Sequence, residues 1–347
     1  MSPGRAGAIA FFTLLATAIV ASGAWGALAI AFGVGGPGGA WFGQAAAVTF
    51  ALAAVAAVVA LHWPRWRWRM LSGYLVVLGT VAVFWNGTEP SNERDWQPDV
   101  AVLPYATSDG NVFHVHNIRN FEYRSATDFR PAYYDKKFDL RELTGVDLVA
   151  VYWMGPAIAH TFLSFEFRGG DHLAISIETR KKKGDDYSTL RGFFRQYELI
   201  YVVADERDVI RLRTNYRRDP VEDVYVYRIG GDLENGRRVF MEYMRQINSL
   251  RARPEFYNTL TSNCTTDIWM NTLVNDDHLP FSWKVLASGY VPQYLHENGR
   301  LDTSTPFPEL MKRAHVNRRA QEADGAPDFS RRIRTAEAVR AVGVQQQ

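Results

Sequence analysis

The segment "AHTFLSFEFRGGDHLAISIETR", residues 159–180, contains the pattern that decides the fold. Apolar and polar residues alternate on both sides of "RGGD", as they do in β-strands with one buried face. Two glycines in a short turn between such runs predict an antiparallel hairpin. If the hairpin closes around Gly169, His160 lies opposite position 178, which is a glutamate. We therefore expect His160 and Glu178 to be cross-strand neighbours.

The partner of His160 depends on the strand register, and a slip of one residue would change it. Such a slip would bring Thr179 opposite His160, and Ser176 is a third candidate. A carboxylate beside an imidazole is the usual orienting group, which favours Glu178. The competing interpretation of Glu178 is a structural salt bridge with Arg180.

Further strand-like runs surround the hairpin, at residues 146–154, 198–204 and 223–229. Apolar residues at helical spacing predict a long helix over residues 233–251, and a shorter helix is expected within residues 186–198. A strand-rich region followed by helices predicts an α+β domain, with an antiparallel sheet packed on one side by helices.

Cys264 is the single cysteine of this chain of 347 residues, and it opens a predicted helix, "CTTDIWMNTLV". Ser262 or Asn263 would cap that helix. A helix N-terminus lowers the pKa of a thiol, and a neighbouring imidazole activates it further. Of the eight histidines, His160 alone begins a predicted strand. We therefore predict that Cys264 and His160 form a nucleophile–base pair.

Glu178 is predicted to orient His160, and the backbone N–H of Cys264 to hold the oxyanion of an acyl intermediate. Supporting roles at the site are assigned to three further residues, Asn263, Thr265 and His116. The competing interpretation is an inert cysteine in a non-catalytic sensor or assembly factor, which would be deeply buried and distant from any histidine.

Three uncharged apolar segments precede this domain, at residues 6–34, 41–63 and 70–85. The first two exceed the roughly 20 residues that cross a bilayer, and the third is a little short. The loop "PRWRWR" contains three of the four arginines in residues 1–86, which include no acidic residue. Because positive loops stay in the cytoplasm, the N-terminus is predicted to be cytoplasmic and the rest of the chain periplasmic, in a bacterial inner membrane.

The predicted organisation has four parts: a membrane region (1–86), a linker (87–99), a periplasmic thiol-enzyme domain (100–334) and a disordered tail (335–347). Outside the cytoplasm, cysteines usually occur in disulfide pairs. A single cysteine in that compartment favours a reactive role for Cys264.

No cofactor, metal or nucleic-acid partner is expected, since the sequence lacks a zinc-type spacing, a glycine-rich phosphate loop and a basic stripe. The best metal-binding fragment is "HVH", residues 114–116. The arginine-rich run of residues 211–218 is interpreted as a solvated strand face in preference to a site for lipid headgroups.

Five segments stand in order along the predicted domain: "HNIRNFEYRSATDF" (116–129), "AHTFLSFEF" (159–167), "SIETR" (176–180), "RGFFRQYELIYVVADERDVIRLRTN" (191–215) and "FYNTLTSNCTTDIW" (256–269). Together they resemble the bacterial domain family named for the periplasmic N-terminal part of Lnb, a lipoprotein N-acyltransferase. The resemblance covers residues 97–334. It implies a circularly permuted papain-like fold of the NlpC type, in which the histidine strand precedes the cysteine helix.

The resemblance implies a membrane-anchored acyltransferase. Cys264 would take an acyl chain from a phospholipid, with His160 as base, and pass it to the N-terminal amine of a lipoprotein. The alternative is a cell-wall amidase or peptidase that uses the same pair, with water as acceptor. Three helices favour the acyltransferase, because a wall hydrolase needs at most one anchor.

Overall fold

The computed structural model describes residues 3–33 and 40–334, and the predicted disordered tail lies outside them. The chain divides into two compact units. Among the described residues, the first unit consists of those up to 91 together with 187–196, and the second of 92–186 and 197–334.

The first unit contains three long helices, α1 (Pro3–Gly33), α2 (Ala40–Ala60) and α3 (Arg67–Asn86). All three are long and apolar enough to cross a membrane. Helix α3 begins three residues before the predicted start, so its 20 residues remove the predicted shortfall in length. Helix α2 ends at Ala60, before the predicted Trp63.

Small residues and one buried tyrosine bring the three helices together. The hydroxyl of Tyr74 on α3 lies 2.8 Å from that of Ser22 on α1, and its ring stacks obliquely on Phe50 of α2. Such hydroxyl pairs are common between helices that have little other polar contact in a membrane.

Residues 187–196 join this unit through an aromatic contact. They contain one short helical turn, α4 (Thr189–Gly192), where the sequence predicted a longer helix. Phe194 packs on Trp85 and Phe32, at ring distances of 5.7 and 5.5 Å. Arg195 donates a hydrogen bond to the carbonyl of Trp85 at 2.8 Å.

The second unit is built on a large sheet and one small strand pair. Its strands are β1 (Tyr105–Asp109), β2 (Val112–Arg119), β3 (Glu122–Tyr123), β4 (Phe129–Arg130), β5 (Tyr133–Asp139), β6 (Leu143–Tyr152), β7 (Ala159–Phe167), β8 (Asp171–Arg180), β9 (Glu198–Ala204) and β10 (Asp223–Ile229). The large sheet has the order β1-β2-β9-β8-β7-β6-β10, with β5 also paired to β2, while β3 pairs with β4.

The large sheet is mixed, which corrects the predicted antiparallel sheet. Strands β2 and β9 run parallel, and Arg119 pairs with Ala204. These strands are far apart in the chain, so no tight turn fixes their direction, as it does in a hairpin.

Helices cover both faces of the sheet, where the sequence predicted one. The helices of this unit are α5 (Glu206–Arg211), α6 (Leu233–Ala252), α7 (Cys264–Thr272), α8 (Trp283–Leu286), α9 (Val291–Glu297), α10 (Phe307–Ala314), α11 (Asn317–Glu322) and α12 (Phe329–Arg332). Phe240 of α6 packs on Phe165 on one face, and Phe329 of α12 belongs to the core around Phe162 on the other. Both faces of β7 are therefore buried, which explains why most of its residues are apolar.

The hairpin of β7 and β8 confirms the predicted strands and turn. Leu163 pairs with Ile175, and the turn uses Gly169 and Gly170 at φ of +90° and +89°. Glycine alone adopts such angles without steric cost. If this register continues toward the open end of the hairpin, it sets His160 opposite Glu178.

Residues 92–99, predicted as part of a linker, pack within the second unit. Trp96 is buried, and the guanidinium carbon of Arg180 lies 4.2 Å from the centre of its ring. The side chain of Asn92 donates a hydrogen bond to the carbonyl of Leu250 at 3.0 Å. Residues 92–99 therefore belong to the second unit.

Candidate active site

Helix α7 begins at Cys264 because the preceding residue caps it. The side-chain oxygen of Asn263 accepts hydrogen bonds from the backbone N–H groups of Thr265 and Thr266, at 2.9 and 3.0 Å. An N-cap of this kind satisfies N–H groups that have no partner inside the helix. The half-buried thiol consequently lies at the positive end of the helix dipole, which favours the thiolate.

His160, near the start of β7, faces two side chains of β8. Its Nε2 lies 2.7 Å from the hydroxyl oxygen of Ser176 and 3.3 Å from a carboxylate oxygen of Glu178. Ser176 donates a hydrogen bond to the same Glu178 oxygen at 2.8 Å. The carboxylate thus contacts the imidazole both directly and through a hydroxyl group, while the strand alternation directs Thr179 to the other face.

Arg213 forms a second ion pair with Glu178, in addition to that of His160, and the sequence did not predict it. Its Nη2 donates to the carboxylate at 2.8 Å, and its Nη1 donates to the carbonyl of Val209 at 3.0 Å. Its guanidinium carbon lies 5.4 Å from the centre of the Phe162 ring. Arg213, not Arg180, is therefore the arginine that pairs with Glu178.

The position of Arg213 overturns the prediction for the run of residues 211–218. That run was interpreted as a solvated strand face, but helix α5 continues into a wide helical turn at Leu212–Tyr216, and Arg213 is only 2% exposed. The ring of Phe162 and the carboxylate of Glu178 compensate for the cost of burying its charge, and both residues are distant from Arg213 in the sequence. The available signal was that Arg213 belongs to a segment carrying the family resemblance.

The charges of the cluster raise the pKa of His160. Burial alone would lower it, because the interior disfavours the imidazolium. The negative charges of Glu178 and Cys264, with a hydrogen bond to each, outweigh burial and raise the pKa to about 9. Burial opposes ionisation of Glu178 as well, but His160 and Arg213 hold its pKa well below the usual range.

The thiol is shifted in the complementary direction. Burial would raise the pKa of Cys264, but the charge of His160 and the hydrogen bond between the two groups lower it below its ordinary value. Hydrogen bonds from the backbone N–H of Thr161 and the hydroxyl of Thr265 act in the same direction. Because Nε2 of the ring faces β8, Nδ1 is the nitrogen left for the sulfur. These shifts favour a thiolate–imidazolium pair.

A cavity of about 180 Å³ is lined by Thr265, the residue that follows Cys264. The hydroxyl of Thr265 lies 3.7 Å from the sulfur of Cys264 and 2.8 Å from the hydroxyl of Thr161, and both threonines line the cavity. Aliphatic side chains form much of the remaining wall, including Val146, Leu148, Leu163, Val239, Ile268 and Leu295, and the wall also contains the polar residues Asp232, Asn235, Asn275, Asp277, His278 and Arg300. An acyl chain attached to the sulfur could extend past the hydroxyl groups of Thr161 and Thr265 into this largely apolar cavity.

The predicted supporting residues are distributed differently. Thr265 contacts the sulfur, whereas the side chain of Asn263 is occupied by capping and by a hydrogen bond from its Nδ2 to the carbonyl of Thr259 at 2.9 Å. His116 lies on β2, beside His114 and Asp135. The structure therefore places His116 apart from the Cys264–His160 pair, because two strands, β9 and β8, separate β2 from β7.

Two groups of side chains in the described ranges have ligand atoms close enough to hold a metal ion. The first consists of Asp147, His172 and Glu206, whose two carboxylates are already paired with Arg334 at 2.6 and 2.7 Å. A buried arginine there occupies the position that a cation would take. The second consists of His114, His116 and Asp135, and within the described ranges the charged partner of its carboxylate is His116.

Comparison with known proteins gives one positive result. Residues 129–289 match the family model described as the Lnb N-terminal periplasmic domain, which confirms the resemblance expected from the sequence. The match includes the cysteine, the histidine, the glutamate and the arginine of the candidate site. Searches against curated proteins and against solved structures find no match.

Proposed function

We propose that the protein is a membrane-anchored, cysteine-dependent acyltransferase. It would take an acyl chain from a phospholipid onto Cys264 and transfer it to an amine, the N-terminus of a lipoprotein. The observation that carries this proposal is the largely apolar cavity lined by Thr161 and Thr265, since the hydroxyl of Thr265 lies 3.7 Å from the sulfur of Cys264. A peptidase that cleaves polar cell-wall peptides has no use for an aliphatic space at this position.

The exposed surface near the thiol also suits a lipid substrate. Large apolar side chains are exposed along α7 and the segment that follows it, namely Met270, Leu273, Val274, Phe281, Trp283 and Leu286. Exposed large apolar side chains that gather in one region mark sites of contact with membranes or partners, and these six fall within 17 residues of the chain. The three N-terminal helices would hold this domain to the bilayer from which the donor comes.

The residues suggest a two-step transfer. In the first step the thiolate of Cys264 attacks the ester carbonyl, the carbon–oxygen ester bond breaks, and the imidazolium of His160 protonates the departing lysophospholipid. In the second step the amine attacks the thioester carbonyl, neutral His160 accepts the proton, and the thiolate leaves. The backbone N–H of Cys264, at the first helical position, would stabilise the oxyanion in both steps.

The chain order supports a circularly permuted papain-like fold for the domain. The strand that carries His160 and the strand that carries Glu178 precede the helix that carries Cys264. In this arrangement the cysteine helix lies against a sheet that supplies the base and its orienting carboxylate. We place the domain in the periplasm, with the N-terminus and the arginine-rich loop in the cytoplasm and the helices in the inner membrane.

The test is intact-protein mass spectrometry of the full chain in detergent after incubation with a dipalmitoyl phospholipid. We expect one palmitoyl adduct on the wild-type protein and none on Cys264→Ala. Leu260→Ala, which changes an exposed residue of the same loop, is the matched control and should acquire the adduct. Addition of a lipopeptide with a free N-terminal amine should then remove the adduct from the protein and leave an N-acylated peptide.

Two results would contradict the proposed acyltransferase activity. One is an absence of adduct together with Cys264-dependent cleavage of a cell-wall peptide, which would assign the same residues to a peptidase. The other is an adduct that persists in Cys264→Ala, which would place acylation on another residue.

A further inference from the structure

A second cluster of chemically active side chains lies on the other half of the large sheet. His114 and His116 are two residues apart on β2, so their side chains project from the same face of the strand. Their ring centres are 4.0 Å apart. Asp135 of β5 lies beside them, with a carboxylate oxygen 2.7 Å from Nδ1 of His116. One ligand atom from each residue lies within 4.8 Å of the other two.

A β-bulge brings Asp135 into this position. The register of β2 against β5 shifts between Val115 and Ile118, and Asn117 in the bulge has a left-handed backbone with φ of +62°. The backbone N–H of Asn117 donates to the other oxygen of Asp135 at 2.9 Å. Bulges of this kind redirect side chains and recur beside functional sites.

Neighbouring groups also fix the histidine ring. Tyr105 of β1 stacks on His116 with a ring distance of 4.3 Å and an interplanar angle of 11°. The carboxylate of Asp135 is held by the backbone N–H of Asn117 at 2.9 Å and by the imidazole of His116 at 2.7 Å. Partners that orient imidazole and carboxylate ligands in this way are typical of protein metal sites.

We propose that His114, His116 and Asp135 bind a divalent transition-metal ion, with Zn²⁺ as the best fit. Two imidazole nitrogens and one carboxylate oxygen are ligands that zinc accepts, and a three-ligand set leaves a position for water. The ion would take the place of the contact between Nδ1 of His116 and the carboxylate of Asp135. The site would join β2 to β5.

A similar pair elsewhere in the domain shows what is specific to this cluster. His315 lies 3.1 Å from a carboxylate oxygen of Asp223. That pair belongs to no group of three ligand atoms within the part of the chain that the structure describes. It is therefore a control with the same two residue types but without the second histidine, and its histidine is the more exposed of the two. Lys137, an exposed cation that pairs across the strands with His114, would oppose the binding of a metal ion.

The test is calorimetric titration of the full chain in detergent with ZnCl₂. It uses Cys264→Ser as the parent, so that the thiol cannot bind zinc. We expect one equivalent of Zn²⁺ to bind, and His116→Ala to abolish that binding. Asp135→Asn is an isosteric change at an exposed position. It should lower the Zn²⁺ affinity by at least about tenfold, the smaller loss typical of mutations around a metal site. His315→Ala should bind as the parent does, and Lys137→Ala should bind more tightly.

Thermal unfolding gives a second measurement that is independent of acyl transfer. A metal that binds the folded chain raises its Tm with concentration, so Zn²⁺ should raise the Tm of the parent and of His315→Ala, but not of His116→Ala. The proposal is overturned if the parent binds no Zn²⁺, or if His116→Ala and Asp135→Asn bind it as the parent does.

Discussion

At the residue scale, the imidazole of His160 is the group on which the charge of the candidate site depends. It lies between Cys264 and the carboxylate of Glu178, and their negative charges raise its pKa to about 9 although burial would lower it. Burial would raise the pKa of Glu178, but His160 and Arg213 hold it well below the usual range. Each of these side chains therefore changes the protonation state of the next.

Replacement of His160 should remove the base without removing the nucleophile. We expect His160→Ala to lower the rate of thioester formation by at least about 100-fold, the range for a lost general acid–base group. Single-turnover acylation from a phospholipid measures this step. His296→Ala alters another partly buried histidine, which lies 2.9 Å from the carbonyl oxygen of Thr305, and should react at the wild-type rate. A His160→Ala variant within about tenfold of wild type would contradict the role of His160 as a general acid–base group.

The pH dependence of the rate should report the same cluster. The pKa of His160 is raised, so the imidazolium is present at low pH and is lost as the pH rises through about 9. Because the leaving alcohol needs that proton, kcat/KM should fall above about pH 9. Glu178→Gln removes an anion, lowers the pKa of His160 and should move the falling limb to lower pH.

The control for this profile is Glu322→Gln, which changes an exposed carboxylate 3.8 Å from Arg318. Its pH profile should coincide with that of the wild type. If the Glu178→Gln profile also coincided with it, the carboxylate would have no influence on the imidazole.

At the element scale, the first turn of α7 carries an unusual carboxyl group. Asp267 is 5% exposed, and the hydroxyl of Ser262 donates a hydrogen bond to it at 3.2 Å. Burial raises its pKa to about 7, although the serine hydrogen bond lowers it. Near neutral pH the turn that presents Cys264 therefore contains a carboxyl group that is only partly ionised.

This shift predicts a pH-dependent stability. An unfolded aspartate has a pKa of about 3.9, so between about pH 4 and 7 the folded chain keeps a proton that the unfolded chain releases. Stability should consequently fall as the pH rises through that window. Asp267→Asn removes this loss, so it should raise the Tm relative to wild type more at pH 8 than at pH 5.

Thermal melting of the full chain in detergent at the two pH values checks this. Asp276→Asn, which changes an exposed residue in the loop after α7, should shift the Tm by the same small amount at both pH values. An Asp267→Asn difference that does not depend on pH would mean that the carboxyl group has an ordinary pKa.

At the scale of the whole molecule, the cavity beside the thiol exists only because distant segments meet. Strands β6 and β7 supply one wall, and helices α6, α7 and α9 supply the others. In the proposed acyl transfer, its length and width should therefore decide which acyl chains are accepted. Each methylene buried there would contribute about 0.8 kcal/mol.

A larger side chain in the cavity wall should shorten the preferred acyl chain. Val239 lines the cavity on α6, and Met241 is exposed two residues later on the same helix. If Val239→Phe displaces three methylenes, it removes about 2.4 kcal/mol of chain binding, roughly a 50-fold preference. Competition between palmitoyl and octanoyl phospholipids measures the change.

Met241→Phe is the matched control and should keep the wild-type preference. If Val239→Phe also kept it, while remaining folded, the acyl chain would have to lie elsewhere.

Features that rest on local periodicity were determined by the sequence alone. The alternation in residues 159–180 and its two glycines specify the hairpin, and the cap at Asn263 specifies where the cysteine helix begins. Three uncharged runs longer than a typical core helix specify the N-terminal helices. These features need only neighbours within about one turn of helix or one hairpin.

Features that depend on which surfaces meet were decided by the tertiary structure. The burial of Arg213, the parallel pairing of β2 with β9, and the position of His116 beside Asp135 each join residues from separate segments. The second helical layer and the cavity arise in the same way. A sequence fixes the polarity of each residue, but the partner that makes a buried charge tolerable is supplied by packing between distant segments.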